Sequence, residues 1–303
     1  MRVLERRVRV VFEEILFATD FSPCSEAALP PALAIARRFN STVHVVHVMP
    51  AGKRQWVPPE ISDTTEQEQN RRFAEEQMAR LASESLKQVS HKVLLEQGNT
   101  WDVISKLIHE RRIGLVIIGT HGRKGMQRLL LGSVAEQVLR LAPCPVLTVG
   151  PHVSGKAWEE KQRTEILYAT DFSVHSCAAM PYVISLAQEL PAHLTLLHVG
   201  PPPKDMFSFE RAPNSSSSRA RLRILVPPDV KLEPEPDLVV EFGHPAEIIV
   251  KVAALRSADL IVLGVRRGGA FARATTHLPE GVGYRVVCEA HCPVLTVRGN
   301  EDQ

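Results

Sequence analysis

Gly119-Thr120-His121-Gly122, nine intervening residues and then Gly132-Ser133 form a spacing suited to holding an anion. Two glycines three positions apart let a turn bring successive backbone N–H groups to one concave side, which attracts phosphate oxygens. Ser133 stands where an apolar-periodic stretch begins, so its hydroxyl joins the free N–H groups of a helix N-terminus in facing the same anion. The loop between, His121 to Leu131, carries Arg123, Lys124 and Arg128, with Gly125 among them. No Gly-Lys-Ser/Thr follows the glycines, so this is not a Walker A loop. The dinucleotide fingerprint Gly-x-Gly-x-x-Gly is also missing after the first apolar run. His121 lies in the loop, but no serine or cysteine is spaced to partner it as a nucleophile, so no catalytic residue is assigned. The five cysteines, an odd number, form no Cys-x-x-Cys pair. They read as reduced, mostly buried thiols, and no metal site is expected.

The elements that must position this loop occur twice. Ile15–Ser22 reads ILFATDFS and Ile166–Ser173 reads ILYATDFS, while Ala142–Val149 (APCPVLTV) is echoed by Ala290–Val297 (AHCPVLTV). In the first half, strands are predicted at Glu14–Thr19, Thr42–Met49, Lys92–Glu96, Leu115–Gly119 and Pro145–Val149. Helices are predicted at Pro23–Phe39, Thr64–Gln88, Trp101–Arg112 and Val134–Leu141. The second half repeats the strands near Glu165–Thr170, Leu194–His198, Leu238–Phe242, Leu260–Gly264 and Pro293–Val297. Alternation of strand and helix predicts a doubly wound, five-stranded parallel α/β sheet in each half. The expected domains are 1–150 and 164–303, joined by the polar stretch Pro151–Arg163. Pro30-Pro31 should kink or break the first helix. Ser133-Val134-Ala135-Glu136 reads as a capping box. Asp20 follows the first strand and Gly119 ends the fourth; if those strands are neighbours where strand order reverses, both line one crevice.

Composition bounds the function classes. Apolar residues make up 44% and charged residues 23% of 303 residues, which is globular usage. A net charge of +2 gives no reason to expect a nucleic-acid or membrane partner. No apolar run approaches the ~20 residues of a spanning helix, and the basic start has neither an apolar core nor a cleavage site, so the expected location is cytoplasmic. Pro201–Pro236, with eight prolines, is expected to be a mobile surface excursion without a long helix, its Arg219, Arg221 and Arg223 forming a solvated face.

Together the ATDFS opening, the GTHG turn, the GSVAEQVL helix and the CPVLTV strand resemble the universal stress protein family, in its tandem two-domain form. The resemblance covers nearly the whole chain and implies an adenine nucleotide alpha hydrolase-like, Rossmann-like fold. It also implies a nucleotide-binding regulator of the stress response rather than a committed enzyme. The family's ATP motif, Gly-x2-Gly-x9-Gly-Ser/Thr, falls on Gly119, Gly122, Gly132 and Ser133. Asp20 matches the family's strand-one aspartate, Ala18 the backbone lining the base, and Val48 the apolar residue packing on adenine. ATP, with or without Mg²⁺, is the implied cofactor. Its phosphates are expected to meet the N–H groups of Gly122–Gly125 and Gly132–Val134, with Ser133 bonding directly.

The second half departs from this pattern. Arg267 stands at the second glycine's offset, and Glu280-Gly281 replaces Gly132-Ser133, so a carboxylate lies where phosphate would. Asp171 and Val199 persist. Two other readings stay open: a slow ATPase or phosphotransferase using the same crevice, and an interaction module that binds no nucleotide. The two halves are expected to pair through their CPVLTV strands as an intramolecular pseudo-dimer, with a further homodimer and an unidentified protein partner left open.

Overall fold

In the computed structural model the described residues are 10–50, 64–120, 131–153, 158, 163–202, 215–266 and 281–299. The first half runs β1 (Glu14–Ala18), α1 (Pro23–Ala27), α2 (Leu29–Phe39), β2 (Thr42–Met49), α3 (Thr64–Arg80), β3 (Ser90–Gln97), α4 (Thr100–Glu110), β4 (Leu115–Gly119), α5 (Ser133–Leu141) and β5 (Val146–Val149). The second runs β6 (Thr164–Thr170), α6 (Val174–Cys177), α7 (Met180–Glu189), β7 (Ala192–Gly200), α8 (Ser215–Ile224), β8 (Asp237–Phe242), α9 (Pro245–Leu255), β9 (Leu260–Val265), α10 (Val282–Glu289) and β10 (Val294–Arg298). The predicted first helix is divided at Ala28, just ahead of Pro30-Pro31. The predicted second helix ends at Arg80 and continues as a π-helical turn, Leu81–Ser85.

All ten strands belong to one sheet, ordered β3-β2-β1-β4-β5-β10-β9-β6-β7-β8. Each half has the order 3-2-1-4-5, and all pairings are parallel except the central one. The near-continuous apolar character of the strands has a direct cause: helices cover both faces. Ile15 and Phe17 of β1 point into one core with α2, α7 and Leu222 of α8, whereas Leu16 points into the other with α4, α5, α9 and α10. Both cores cross from one half into the other, so the halves share one sandwich.

At the seam β5 and β10 run antiparallel, with Val294 opposite Thr148, Leu295 opposite Leu147 and Thr296 opposite Val146. Because Leu147 and Leu295 hold the same place in the repeat, a local two-fold axis passes between them. Thr148 Oγ1 donates to the Val294 carbonyl at 3.1 Å and Thr296 Oγ1 to the Val146 carbonyl at 3.2 Å. These buried hydroxyls are satisfied across the join, as a polar group away from water must be. The expected pairing of the two halves is what the chain forms.

The proline-rich stretch corrects the sequence reading. None of its eight prolines falls between Asn214 and Val226, and the serine run there opens α8 (Ser215–Ile224). Leu222 is fully buried and docks the helix, while Arg219, Arg221 and Arg223 remain exposed as expected, Arg221 with its guanidinium 4.0 Å over the Phe172 ring. Trp158, within the linker, is partly buried against the first core.

Candidate functional site

Strand order reverses between β1 and β4, which are direct neighbours, with Ile15 opposite Leu115 and Ala18 opposite Ile118. Chain leaving β1 turns into α1 and α2 on one face, while α5, which follows β4 in the order of elements, packs on the other face. A crevice at the carboxyl ends of the two strands results.

The β1 side is built by a short hydrogen-bonded turn. Thr19 Oγ1 accepts from the Phe21 N–H at 3.0 Å and donates to Ser25 Oγ at 3.1 Å; Ser25 Oγ in turn donates to the Ser22 carbonyl at 2.9 Å. Asp20 accepts the Ser22 N–H at 3.1 Å through one carboxylate oxygen, which fixes its side chain. Ser22 caps α1, accepting the Ser25 N–H. Phe21 sits at φ +59°, a left-handed conformation that costs a bulky residue energy. His47 offsets it: its Nδ1–H donates to the Thr19 carbonyl at 2.8 Å, and its ring stacks on Phe21 with centroids 4.6 Å apart. Ala18, Asp20 and Val48 are each half-buried around this turn.

Gly119 is fixed by packing. A Cβ there would lie 2.8 Å from the Cys24 carbonyl carbon and 2.8 Å from the Ser25 nitrogen, so α1 can approach β4 only because that side chain is missing. Gly264 of β9 is more crowded still, with a Cβ 2.3 Å from the His175 carbonyl oxygen. The glycine kept in both halves therefore serves the fold in both.

Two expectations at α5 are corrected. The N-cap is Gly132, at φ −62° and ψ 147°, with no side-chain capping bond; Ser133 is the first helical residue, so the capping box does not form. The Gly132 N–H donates to the Thr120 carbonyl at 2.8 Å and is thereby withdrawn from any ligand. The remaining first-turn donors are those of Ser133, Val134 and Ala135, which have no partner inside the helix. The Ser133 side chain is exposed. Of the other expected site residues, His121, Gly122, Arg123, Lys124 and Gly125 lie outside the described residues.

The second half repeats the β1 turn closely. Phe172 has φ +62°, the Thr170 hydroxyl accepts its N–H at 2.9 Å, and His198 donates to the Thr170 carbonyl and stacks on Phe172 at 4.4 Å. Asp171 accepts the Ser173 N–H at 2.9 Å. Burial opposes its charge, but hydrogen bonds from Ser173 and Ser176 outweigh that and hold its carboxyl below the usual carboxylate range. Beside it is a cavity of about 190 Å³ walled by Ala169, Val199, Ile249 and Leu263. The helix N-terminus differs: α10 is capped by Gly281 at φ +150°, with no hydroxyl where Ser133 stands.

The sequence profile of the Universal stress protein family matches residues 12–150 and 163–298. The chain belongs to the universal stress protein family. A crystal structure of a universal stress protein from Archaeoglobus fulgidus superposes with a TM-score of 0.71 at 20% identity, covering 97% of this chain and 98% of that one, which establishes the shared tandem fold. A universal stress protein of Methanocaldococcus jannaschii is 29% identical over 150 residues, spanning 46% of this chain and 82% of its own length. Another universal stress protein, 20% identical over 46% of this chain and 98% of its own with a TM-score of 0.34, has been solved in complex with cAMP. In this universal stress protein the residues that sequence reasoning missed are Thr19, Phe21, Ser25 and His47. Their signal is repetition, since Thr170, Phe172, Ser176 and His198 hold the same places. No helix among the described residues is long and apolar enough to cross a membrane.

Proposed function

We propose that this universal stress protein is a regulator that binds one adenine nucleotide, ATP or a close relative, in its first half. The observation that carries the reading is the state of α5's first turn. Ser133 is exposed at a helix N-terminus beside the β1–β4 reversal, its hydroxyl is not spent on capping, and adjacent N–H groups are left over. Such a terminus favours phosphate through both its donors and the helix dipole. Asp20, held by the Ser22 N–H, would accept from the donor groups of a base or ribose, with half-buried Ala18 and Val48 as apolar walls.

Among the described residues no three His, Cys, Asp or Glu side chains gather as a metal site, so a Mg²⁺ would arrive on the phosphates themselves. The sequence offers no recognisable general base or Mg²⁺-holding carboxylate pair near Ser133, which favours binding over turnover. The second half takes no part in phosphate binding because it lacks the hydroxyl and carries Glu280.

Small molecules released from the freshly purified, denatured protein and identified by mass spectrometry test the proposal. Stoichiometric adenine nucleotide supports it. Absence of nucleotide together with no calorimetric ATP binding refutes it.

A further inference from the structure

Helix α5 is touched at both ends by side chains of the second half, and neither contact is returned. Near its N-terminus, the Leu131 N–H donates to Tyr284 Oη of α10 at 3.3 Å. Leu131 immediately precedes the cap Gly132, whose own N–H is tied to Thr120. Cys288 lies beside the Tyr284 hydroxyl, one turn along α10. Near the other end, the Arg298 guanidinium on β10 donates to the Leu139 carbonyl. A cation is favoured there, since the last carbonyls of a helix lack partners and carry partial negative charge.

Superposing the repeats shows that these contacts run one way. The residue matching Tyr284 is Glu136, and the residue matching Leu131 is Pro279, which has no N–H to donate. The residue matching Arg298 is Gly150, which lies against α10 with no side chain to extend; a Cβ there would sit 3.4 Å from the Val287 carbonyl oxygen, the counterpart of Leu139. The paired seam strands keep two-fold symmetry in Thr148 and Thr296, while at α5 and α10 it is broken at these two places in the same sense.

We infer that the second half serves the first as a one-sided clamp on α5, with Tyr284 and Arg298 as positioning residues for the phosphate-facing helix N-terminus. The part concerning phosphate rests on the proposed nucleotide reading; the clamp itself does not. Tyr284 acts through Leu131 on the segment that delivers Gly132 and Ser133. Arg298 keeps the far end from tilting. The lost second site and the retained seam then have one explanation: the second half exchanged a ligand of its own for a grip on its neighbour's.

Tyr284→Phe and Arg298→Met in the full chain test this, each checked for folding by circular dichroism. Without ligand, amide exchange across residues 131–139 should quicken about fivefold in Tyr284→Phe, the scale of one neutral hydrogen bond, and about tenfold or more in Arg298→Met, whose lost bond is to a charged group. ATP should bind about fivefold more weakly to Tyr284→Phe, while adenosine, displaced from the same crevice in competition, stays within about twofold. A merely structural role would not separate the two ligands. Unchanged exchange at 131–139 overturns the clamp, and equal weakening of ATP and adenosine overturns the positioning role. If the wild-type chain binds no ATP, the proposed function fails and the positioning role with it, whereas the exchange rates still decide the clamp.

Discussion

Gly119→Ala separates the packing role of that residue from any contact with a ligand. The added Cβ meets two backbone atoms of α1 at 2.8 Å, and a third neighbour, Cys24 Cβ, at 3.0 Å. Real Cβ atoms essentially never approach backbone that closely, and the atoms in the way belong to a helix turn, not to the end of a flexible side chain. Moreover, Ser25 is tied to Thr19 and Ser22, so α1 cannot retreat without pulling on the β1 turn. Overpacking of this kind costs about 1–3 kcal/mol. Gly264→Ala, with a contact at 2.3 Å, should cost at least as much in the half that has lost the phosphate motif. Urea denaturation read by circular dichroism measures both. Equal stability of Gly119→Ala and wild type, within about 0.5 kcal/mol, would refute the packing argument. No loss at Gly264, where the crowding is greater, would refute the same argument for β9.

Three further outcomes are expected. Ser133→Ala should weaken ATP binding by tenfold or more, since hydrogen bonds to charged groups contribute about 1.5–3 kcal/mol; stability should not move, because Gly132 and not Ser133 is the cap. Residues 1–150 expressed alone should form a homodimer by sedimentation, because the Leu147–Leu295 register can be reproduced with Leu147 of a second copy; a monomer at micromolar concentration would contradict this. Burial pushes the Cys144 thiol up to about 12 and the Cys288 thiol up to about 11, from about 9 in an unfolded chain. Both should resist alkylation at pH 8 unless urea is present. In the unfolded chain they ionise first, so their contribution to stability is complete below pH 9 and is lost as pH rises toward 11–12. Labelling of Cys144 at its denatured rate would contradict the burial.

Much of the fold was legible because its signals are local. Apolar runs placed all ten strands, and two of them, Thr42–Met49 and Leu115–Gly119, both begin and end where expected. Pro30-Pro31 announced the break at Ala28 through steric rules that need no tertiary information. What was illegible depends on contacts distant in sequence. Gly119 looked like a phosphate-loop glycine, yet its surroundings are set by Cys24 and Ser25 nearly a hundred positions earlier. The capping box at Ser133 satisfied its sequence rule, but Gly132 took the cap once Thr120 held its N–H. Likewise, α8 occupies a proline-free gap inside the proline-rich stretch, and burial of Leu222 supplies what its polar sequence does not. Tyr284 and Arg298 were visible only as mismatches between the repeats, with nothing to say what they touch.

Titration calorimetry of ATP into the full chain, paired with Gly132→Val, tests the central claim most directly. The account predicts one site per chain, abolished when the valine side chain fills the space beside the α5 N-terminus that phosphate needs. Two equivalent sites per wild-type chain, or unaltered ATP binding by Gly132→Val, would contradict it.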